Sequence, residues 1–311
     1  MKKPDLDSAD HQTSHQANYQ ADALIPFLFD NTQIRGNSVH LNVTLNRALQ
    51  YHSYPAPLRL LLGELMAACA MLSATLKMDG ALILQIQGKG ALKLLVVECT
   101  SEFGLRATAK WDGDLPNEFK SMIGDGQCAI TLAPKNGESY QGIVPLEGEN
   151  IAQMLEDYML RSQQIDTKLW LTCDGENASG MLIQRLPDQP NQELPDQDSD
   201  TWNRICILAD TVTSDELQSL SLEMLLTRLF GEEDVCMFSA KPTQFYCACT
   251  RLKVANMLML LGKDEVESIL AERENIEVNC EFCNKKYAFD TVDAAALFTH
   301  ESIAPATSTK H

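Results

Sequence analysis

Four cysteines in the last third of the chain have the residue type and spacing for metal or redox chemistry: Cys247 and Cys249 in FYCACTRLKV, Cys280 and Cys283 in NCEFCNKKYAF. No histidine lies between Cys247 and Cys283. Thiolates are soft ligands, and four of them suit tetrahedral coordination of zinc, which has no redox chemistry of its own. In the second pair, Cys-x-x-Cys followed by Asn284, Lys285, Lys286 and Tyr287 fits a zinc knuckle, whose backbone N–H groups point at the sulfurs and stabilise their charge. The Cys-x-Cys of the first pair lies outside the commonest ligand spacing, so four idle or buried thiols stand as the competing reading. A thioredoxin-like motif fits less well, because no βαβ pattern surrounds Cys280 and Cys283.

The Cys-Ala-Cys spacing has a second consequence. Without a metal, Cys247 and Cys249 can join only in a very small ring at the edge of disulfide geometry, and strained bonds are readily reduced again. Such a bond makes a poor permanent staple and a good reversible switch. The surrounding segment, from about Val235 to Phe298, is too small to be secure on burial alone. Structural zinc contributes roughly 10 to 16 kcal/mol to the folding of small peptides at neutral pH. Oxidation of the thiolates is therefore expected to unfold the module, to deprive the helices before it of a packing partner and to bring out hydrophobic surface.

The elements that must position these cysteines follow from periodicity. LNRALQYHSYP and PLRLLLGELMAACAMLSATLK read as helices, the second strongly apolar. The runs ALILQIQ, ALKLLVVECT, GLRATAKW, GQCAITLAP and YQGIVP read as strands, IAQMLEDYMLRSQQ as a helix, and TKLWLTC and GMLIQRL as two further strands. Grouped strands bracketed by helices indicate an α+β fold with antiparallel strands over 21–186. Residues 1–20, with His11 and His15, read as a disordered extension rather than a histidine metal tag. Residues 187–240 read as a linker: first the polar stretch from Pro187 to Asp200, then TWNRICILADTV and SDELQSLSLEMLLTRLF as amphipathic helices, with Ser214 as N-cap and Gly231 as stop. Their apolar stripes contain Trp202, Ile205, Leu208, Val212, Leu217, Leu220, Met224 and Leu225. A cysteine module over 241–298 and a tail over 299–311 complete the chain. Within the module RLKVANMLMLLG and DEVESILAERE read as helices, the second restarted by Asp264 with Glu267 as an acidic relative of the capping box.

Composition excludes several classes. A net charge of -18 over 311 residues argues against a nucleic-acid binder, which needs lysine and arginine to displace counterions. Glu64 interrupts the most apolar run, Leu60 to Ala70, so no membrane span is expected. The amino terminus has no apolar stretch of the kind a secretory signal needs, and ten cysteines in a non-exported chain suit a reducing cytoplasm. Gly88-Lys89-Gly90 reads as a hairpin turn rather than half of a dinucleotide fingerprint. No catalytic triad, phosphate loop or carboxylate pair is visible, and His40 and His52 read as structural. Cys69, Cys99, Cys128, Cys173 and Cys206 lie in apolar segments and read as small buried hydrophobes. The methionines are core filler, with Met224, Met257 and Met259 available to an adaptable apolar surface if exposed.

The arrangement FYCACTRLKV, some thirty intervening residues and CEFCNKKYAF resembles the signature of the heat-shock protein 33 family, redox-regulated holdase chaperones. LLGELMAACAMLSATLKMDGALILQIQGKGALKLLVVEC, YMLRSQQIDTKLWL and LLTRLFGEEDV resemble the family's core helix with its first hairpin, mid-domain helix and linker helix. The resemblance covers roughly Leu24 to Phe298. It implies a non-enzymatic, ATP-independent chaperone that holds one zinc ion per chain on Cys247, Cys249, Cys280 and Cys283 and is inactive when reduced. Oxidation by hypochlorite, or by peroxide with heat, would form Cys247–Cys249 and Cys280–Cys283 disulfides, unfold the module and linker, favour a homodimer and allow capture of unfolding clients. Linker residues Trp202, Ile205, Leu220, Met224 and Leu225 are the candidate client surface. Cys236 stands where the family usually has arginine, and Gln163 where it commonly has glutamate. The competing readings are a zinc-binding adaptor that keeps its metal permanently and a thiol oxidoreductase.

Overall fold

Ahead of the first expected helix the chain forms a hairpin that sequence reasoning did not identify: β1 (Ala23–Phe29) pairs antiparallel with β2 (Ile34–Leu41). Pro26 masks the strand in the sequence, since proline has no N–H to give a ladder. The computed structural model describes residues 22–187 and 200–299. The extension over 1–20, nearly all of the polar stretch after Pro187 and the tail from 300 lie outside them.

A short helix α1 (Val43–Leu49) and the long α2 (Ala56–Thr75) follow. Next come β3 (Gly80–Gly88), β4 (Leu92–Thr100), β5 (Gly104–Trp111), the single turn α3 (Phe119–Ile123), β6 (Gly126–Pro134) and β7 (Tyr140–Pro145). Then α4 (Ile151–Gln163), β8 (Asp166–Cys173) and β9 (Ala178–Arg185) close the block. Strands β3 to β9 lie where the apolar runs place them, and Gly88-Lys89-Gly90 turns the β3–β4 hairpin. A Cβ on Gly88 would come within 2.5 Å of the Leu92 carbonyl oxygen, which is why the turn needs glycine there.

Helix α2 is buried on nearly every side because it runs between two sheets, which accounts for apolar residues all round it. By length and hydropathy alone it would qualify as a membrane span despite Glu64, but 72% of that window is buried inside the protein. One sheet has β1, β2, β9 and β8 in that order with the later strand β10 (Val235–Met237) outside β1, and the other has β5-β4-β3-β6-β7 with β12 (Gln244–Phe245) outside β5. Strand β9 is buried at all positions but its last because both faces are covered: Ala178 and Leu182 belong to the core around α2, Met181 and Ile183 to a second core beyond the sheet.

That second core corrects the reading of the linker. Helices α5 (Thr201–Ala209), α6 (Ser214–Ser219) and α7 (Leu222–Phe230) pack Ile205, Leu217, Leu225, Leu226, Leu229 and Phe230 onto Phe27, Phe29, Ile34, Met181 and Ile183. Their partner is the first sheet, not the cysteine module. The stretch expected as one helix from Ser214 is two, broken at Leu220 and Ser221; the Ser221 hydroxyl accepts from the Met224 N–H at 3.3 Å and restarts the helix. The N-cap of α6 is Thr213 rather than Ser214, in a reciprocal capping box with Glu216. The new phase turns Met224 outward at 51% exposure while Leu225 is 2% exposed.

The chain then runs back along β1 as β10 (Val235–Met237) and β11 (Lys241–Pro242). The gap between them falls opposite Pro26, whose carbonyl accepts from the Phe238 N–H at 2.9 Å. It crosses to the second sheet as β12 (Gln244–Phe245), parallel to β5. The module follows: α8 (Arg251–Leu261), α9 (Lys263–Glu272), the β13 (Ile276–Asn279) and β14 (Lys286–Phe289) hairpin, and α10 (Thr291–Thr299). Helix α9 starts directly after Gly262 without a side-chain cap, so the expected capping role of Asp264 and Glu267 is not realised; Asp264 and Glu265 instead place negative charge in its first turn.

Candidate metal centre

Two local structures deliver the cysteines. Strand β12 ends two residues before Cys247, and Cys249 immediately precedes Thr250, whose hydroxyl caps α8 by accepting from the Lys253 N–H at 3.2 Å. Across from them, the turn after β13 carries Cys280 and Cys283. It is closed by Asn284 N–H to Cys280 O at 2.8 Å and Cys280 N–H to Lys285 O at 2.9 Å. Asn284 takes the left-handed conformation, φ 51°, which asparagine tolerates better than most residues. The turn expected from NCEFCNKKY is formed and carries both cysteines.

The four Sγ atoms lie within 4.8 Å of one another and are half-buried. Cys247 and Cys280 are 3.6 Å apart, and Cys249 and Cys283 3.4 Å. A tetrahedral zinc with bonds of about 2.3 Å requires sulfurs about 3.8 Å apart. The donor set therefore fits one tetrahedral ion, and the structure brings together all four expected ligands. Because every sulfur is close to every other, the cluster itself does not select a disulfide pairing.

Four further residues complete the surroundings. The Tyr287 hydroxyl donates to Cys249 Sγ at 3.2 Å. Burial works against ionisation of Cys249, but the hydrogen bonds from Tyr287 and the neighbouring thiols bring its pKa down to about 7. Burial pushes the Cys247 and Cys283 thiols up. Arg106, on β5, reaches Cys247 Sγ through Nη1 at 3.8 Å, pairs with Glu98 Oε2 at 2.5 Å and lies 4.2 Å above the Phe282 ring. His52 Nε2 meets the Glu281 carbonyl oxygen at 2.8 Å, and Lys110 pairs with the Glu281 carboxylate at 3.0 Å. Sequence reasoning placed Arg106 in a strand and gave it no role. No local signal marks it, since its partner sulfur is 141 residues away.

The remaining cysteines stand apart from the centre. Cys69, Cys99 and Cys128 are buried, and desolvation pushes Cys99 and Cys128 up to about 12. Cys173 and Cys206 are half-buried and raised by the same cause, while Cys236 is exposed on β10. His40 is bonded to the Ser179 hydroxyl at 2.9 Å, and burial lowers its pKa. Of the candidate linker residues, Ile205 and Leu225 are buried, Trp202 and Leu220 half-buried, and Met224 exposed. Met257 is also exposed in the folded module, at 43%.

Comparison with known proteins agrees over nearly the whole described chain. The family description "Hsp33 protein" matches residues 22–290. The 33 kDa chaperonin of Methylobacillus flagellatus is 54% identical over 294 residues, covering 94% of this chain and 99% of the relative. That of Chromobacterium violaceum is 44% identical over 93% of this chain and 98% of its own. These relatives are named as chaperonins, not as enzymes. The crystal structure of the Thermotoga maritima 33 kDa chaperonin superposes with a TM-score of 0.76, covering 91% of this chain and all of that one, and at 23% identity it shows the shared fold. With the cysteine signature, the α+β layers and these relatives in agreement, the chain belongs to the Hsp33 family.

Proposed function

We propose that this chain is a redox-regulated, ATP-independent holdase, held inactive while its four cysteines are reduced and share one zinc ion. The convergence of Cys247, Cys249, Cys280 and Cys283 within 4.8 Å carries the reading. Bound zinc would supply a tetrahedral cross-link between two segments that local sequence leaves independent. Membership of the Hsp33 family supports the chaperone part and, with it, unfolded proteins as partners.

Oxidation acts on the sulfurs. Each disulfide takes two electrons from a pair of thiolates and passes them to peroxide, which is reduced to water, or to hypochlorite. Pairing Cys247 with Cys249 and Cys280 with Cys283 consumes all four donors. The small apolar cluster of Ala255, Leu258, Val266, Ile276, Tyr287, Phe289 and Ala294 is then the module's remaining core, too little to hold a unit of this size. The module over 241–298 unfolds, and the linker over 187–240 is loosened through the chain itself, since β10, β11 and β12 run directly into Cys247. Freed linker faces, including Trp202, Ile205, Leu220 and Leu225, join Met224 in binding clients, and two such chains associate. The charge and cysteine content favour a cytoplasmic setting for this activity and argue against nucleic acid or membrane as partner.

The test combines metal content, thiol count and suppression of aggregation of a heat-unfolding client, before and after peroxide at elevated temperature. Oxidised protein is expected to have lost its zinc and four thiols and to protect the client. Equal protection by the reduced, zinc-loaded protein, or none by the oxidised one, would defeat the proposal.

A further inference from the structure

One edge strand of the second sheet is the two-residue β12, parallel to β5 over Gln244↔Gly104 and Phe245↔Leu105. The Gln244 N–H donates to the Phe103 carbonyl at 3.2 Å and the Tyr246 N–H to the Leu105 carbonyl at 2.9 Å. Leu105 therefore turns its backbone away from β4, and strand alternation makes Ala107 and Ala109 the next positions on that edge. The edge is also lined for ring-bearing side chains. Phe245 packs on Tyr51 with centroids 5.6 Å apart, and a Cβ on Gly104 would lie 2.8 Å from Tyr246 Cβ, so the bare glycine is what lets Tyr246 cross the sheet. At the far end of β5, Trp111 packs on Tyr54 at 5.7 Å.

So short a strand is not held by its own two residue pairs. Cys247 follows Phe245 by two positions, and Arg106 and Lys110 of β5 contact Cys247, Phe282 and Glu281 of the module. Whatever unfolds the module releases β12 and leaves the edge of β5 uncovered and unpaired, a standing template for another extended chain. We propose that the edge of β5 vacated by β12 captures an extended, uncharged, aromatic-containing segment of an unfolded client by strand addition. This rests on the holdase reading above and adds to it a second client site, distinct from the linker helices. The occupant is a client segment because the edge already accepts such a segment of this chain, Gln244-Phe245-Tyr246, through main-chain bonds that any polypeptide can supply.

The test uses the full-length, oxidised, zinc-free protein and a synthetic peptide of residues 240–249 with Cys247→Ser and Cys249→Ser. A second peptide carries N-methyl groups on the Gln244 and Tyr246 amides, which keeps every side chain and removes the two donors. Protection of a heat-unfolding client is followed by light scattering, and oligomeric state by sedimentation. The first peptide is expected to abolish part of the protection, and the N-methylated one to need at least about tenfold more, as befits two lost backbone hydrogen bonds. Equal potency of the two peptides overturns the proposal. So does a peptide that splits a dimer into monomers while protection persists, which would assign the edge to a second copy. Absence of protection without any peptide removes the holdase reading and this proposal with it. Full protection that neither peptide affects removes this proposal alone.

Discussion

The ring of Phe230, at the end of α7, meets the ring of Phe29 in β1 edge-on with centroids 5.0 Å apart, and neither is more than 2% exposed. This contact fastens the linker to the first sheet. Loosening the linker therefore means opening a buried apolar seam, which gives the first prediction. Leu225→Ala removes a side chain 2% exposed in that seam and should cost about 3 kcal/mol. Limited proteolysis of the reduced, zinc-loaded variant should cut between α5 and α7 sooner than in the parent, and client protection should appear without oxidation. Met224→Ala, one residue away and facing outward, should change neither.

Arg106 joins the large sheet to the cysteine turn through Glu98, Cys247 and Phe282. Arg106→Ala strands Glu98, only 14% exposed, beneath the module and should cost about 3 kcal/mol in urea unfolding of the metal-loaded protein. Arg106→Lys keeps the charge but loses the planar fork and should fall between the two. If the alanine variant melts like the parent, the contact does not fasten the module.

Glu64, on α2, faces a cleft of about 240 Å³ lined also by Trp170, Val212, Thr213 and Leu217, so α6 docks over it. Burial raises its pKa from the usual 4.5 to about 7. Below 4.5 the carboxyl is protonated in both folded and unfolded chains. Between 4.5 and 7 the unfolded chain loses the proton first, so stability falls as pH rises and levels off above about 7. Glu64→Gln should therefore stabilise the protein at pH 8 by about 2 to 3 kcal/mol and leave it unchanged near pH 4.5, as read from denaturant melts at both values. A gain that does not vary with pH would point to packing instead of charge.

Cys280→Ser removes one corner of the sulfur cluster. Reduced protein should retain little zinc by atomic absorption, and the module should lose its cooperative melt while the large sheets keep theirs. A chelator acting on the parent should produce the same pattern, because a zinc cross-link on these sulfurs would contribute roughly 10 kcal/mol in both cases.

Much of this was legible in the sequence wherever the information is local. Cys-x-Cys, Cys-x-x-Cys and the residues after them lie within a few positions of each other, so the cysteine turn could be read directly. The alternating runs that became β3 to β9 could be read for the same reason. β1 was not legible, because Pro26 breaks its pattern and only the gap between β10 and β11 accommodates it. The interruption at Ser221 was hidden by apolar residues on either side of it.

What the chain determined by itself is the cysteine set and most of the succession of strands and helices between α1 and β9, since ligand spacing and hydrophobic period are properties of neighbouring residues. Tertiary structure alone decided that α2 is sheathed by two sheets, that the linker helices lie on the first sheet rather than on the module, and that Arg106, His52 and Tyr287 surround the cysteine cluster. Those contacts join residues far apart along the chain. Their energy comes from packing and desolvation, which have no spacing to leave in a sequence.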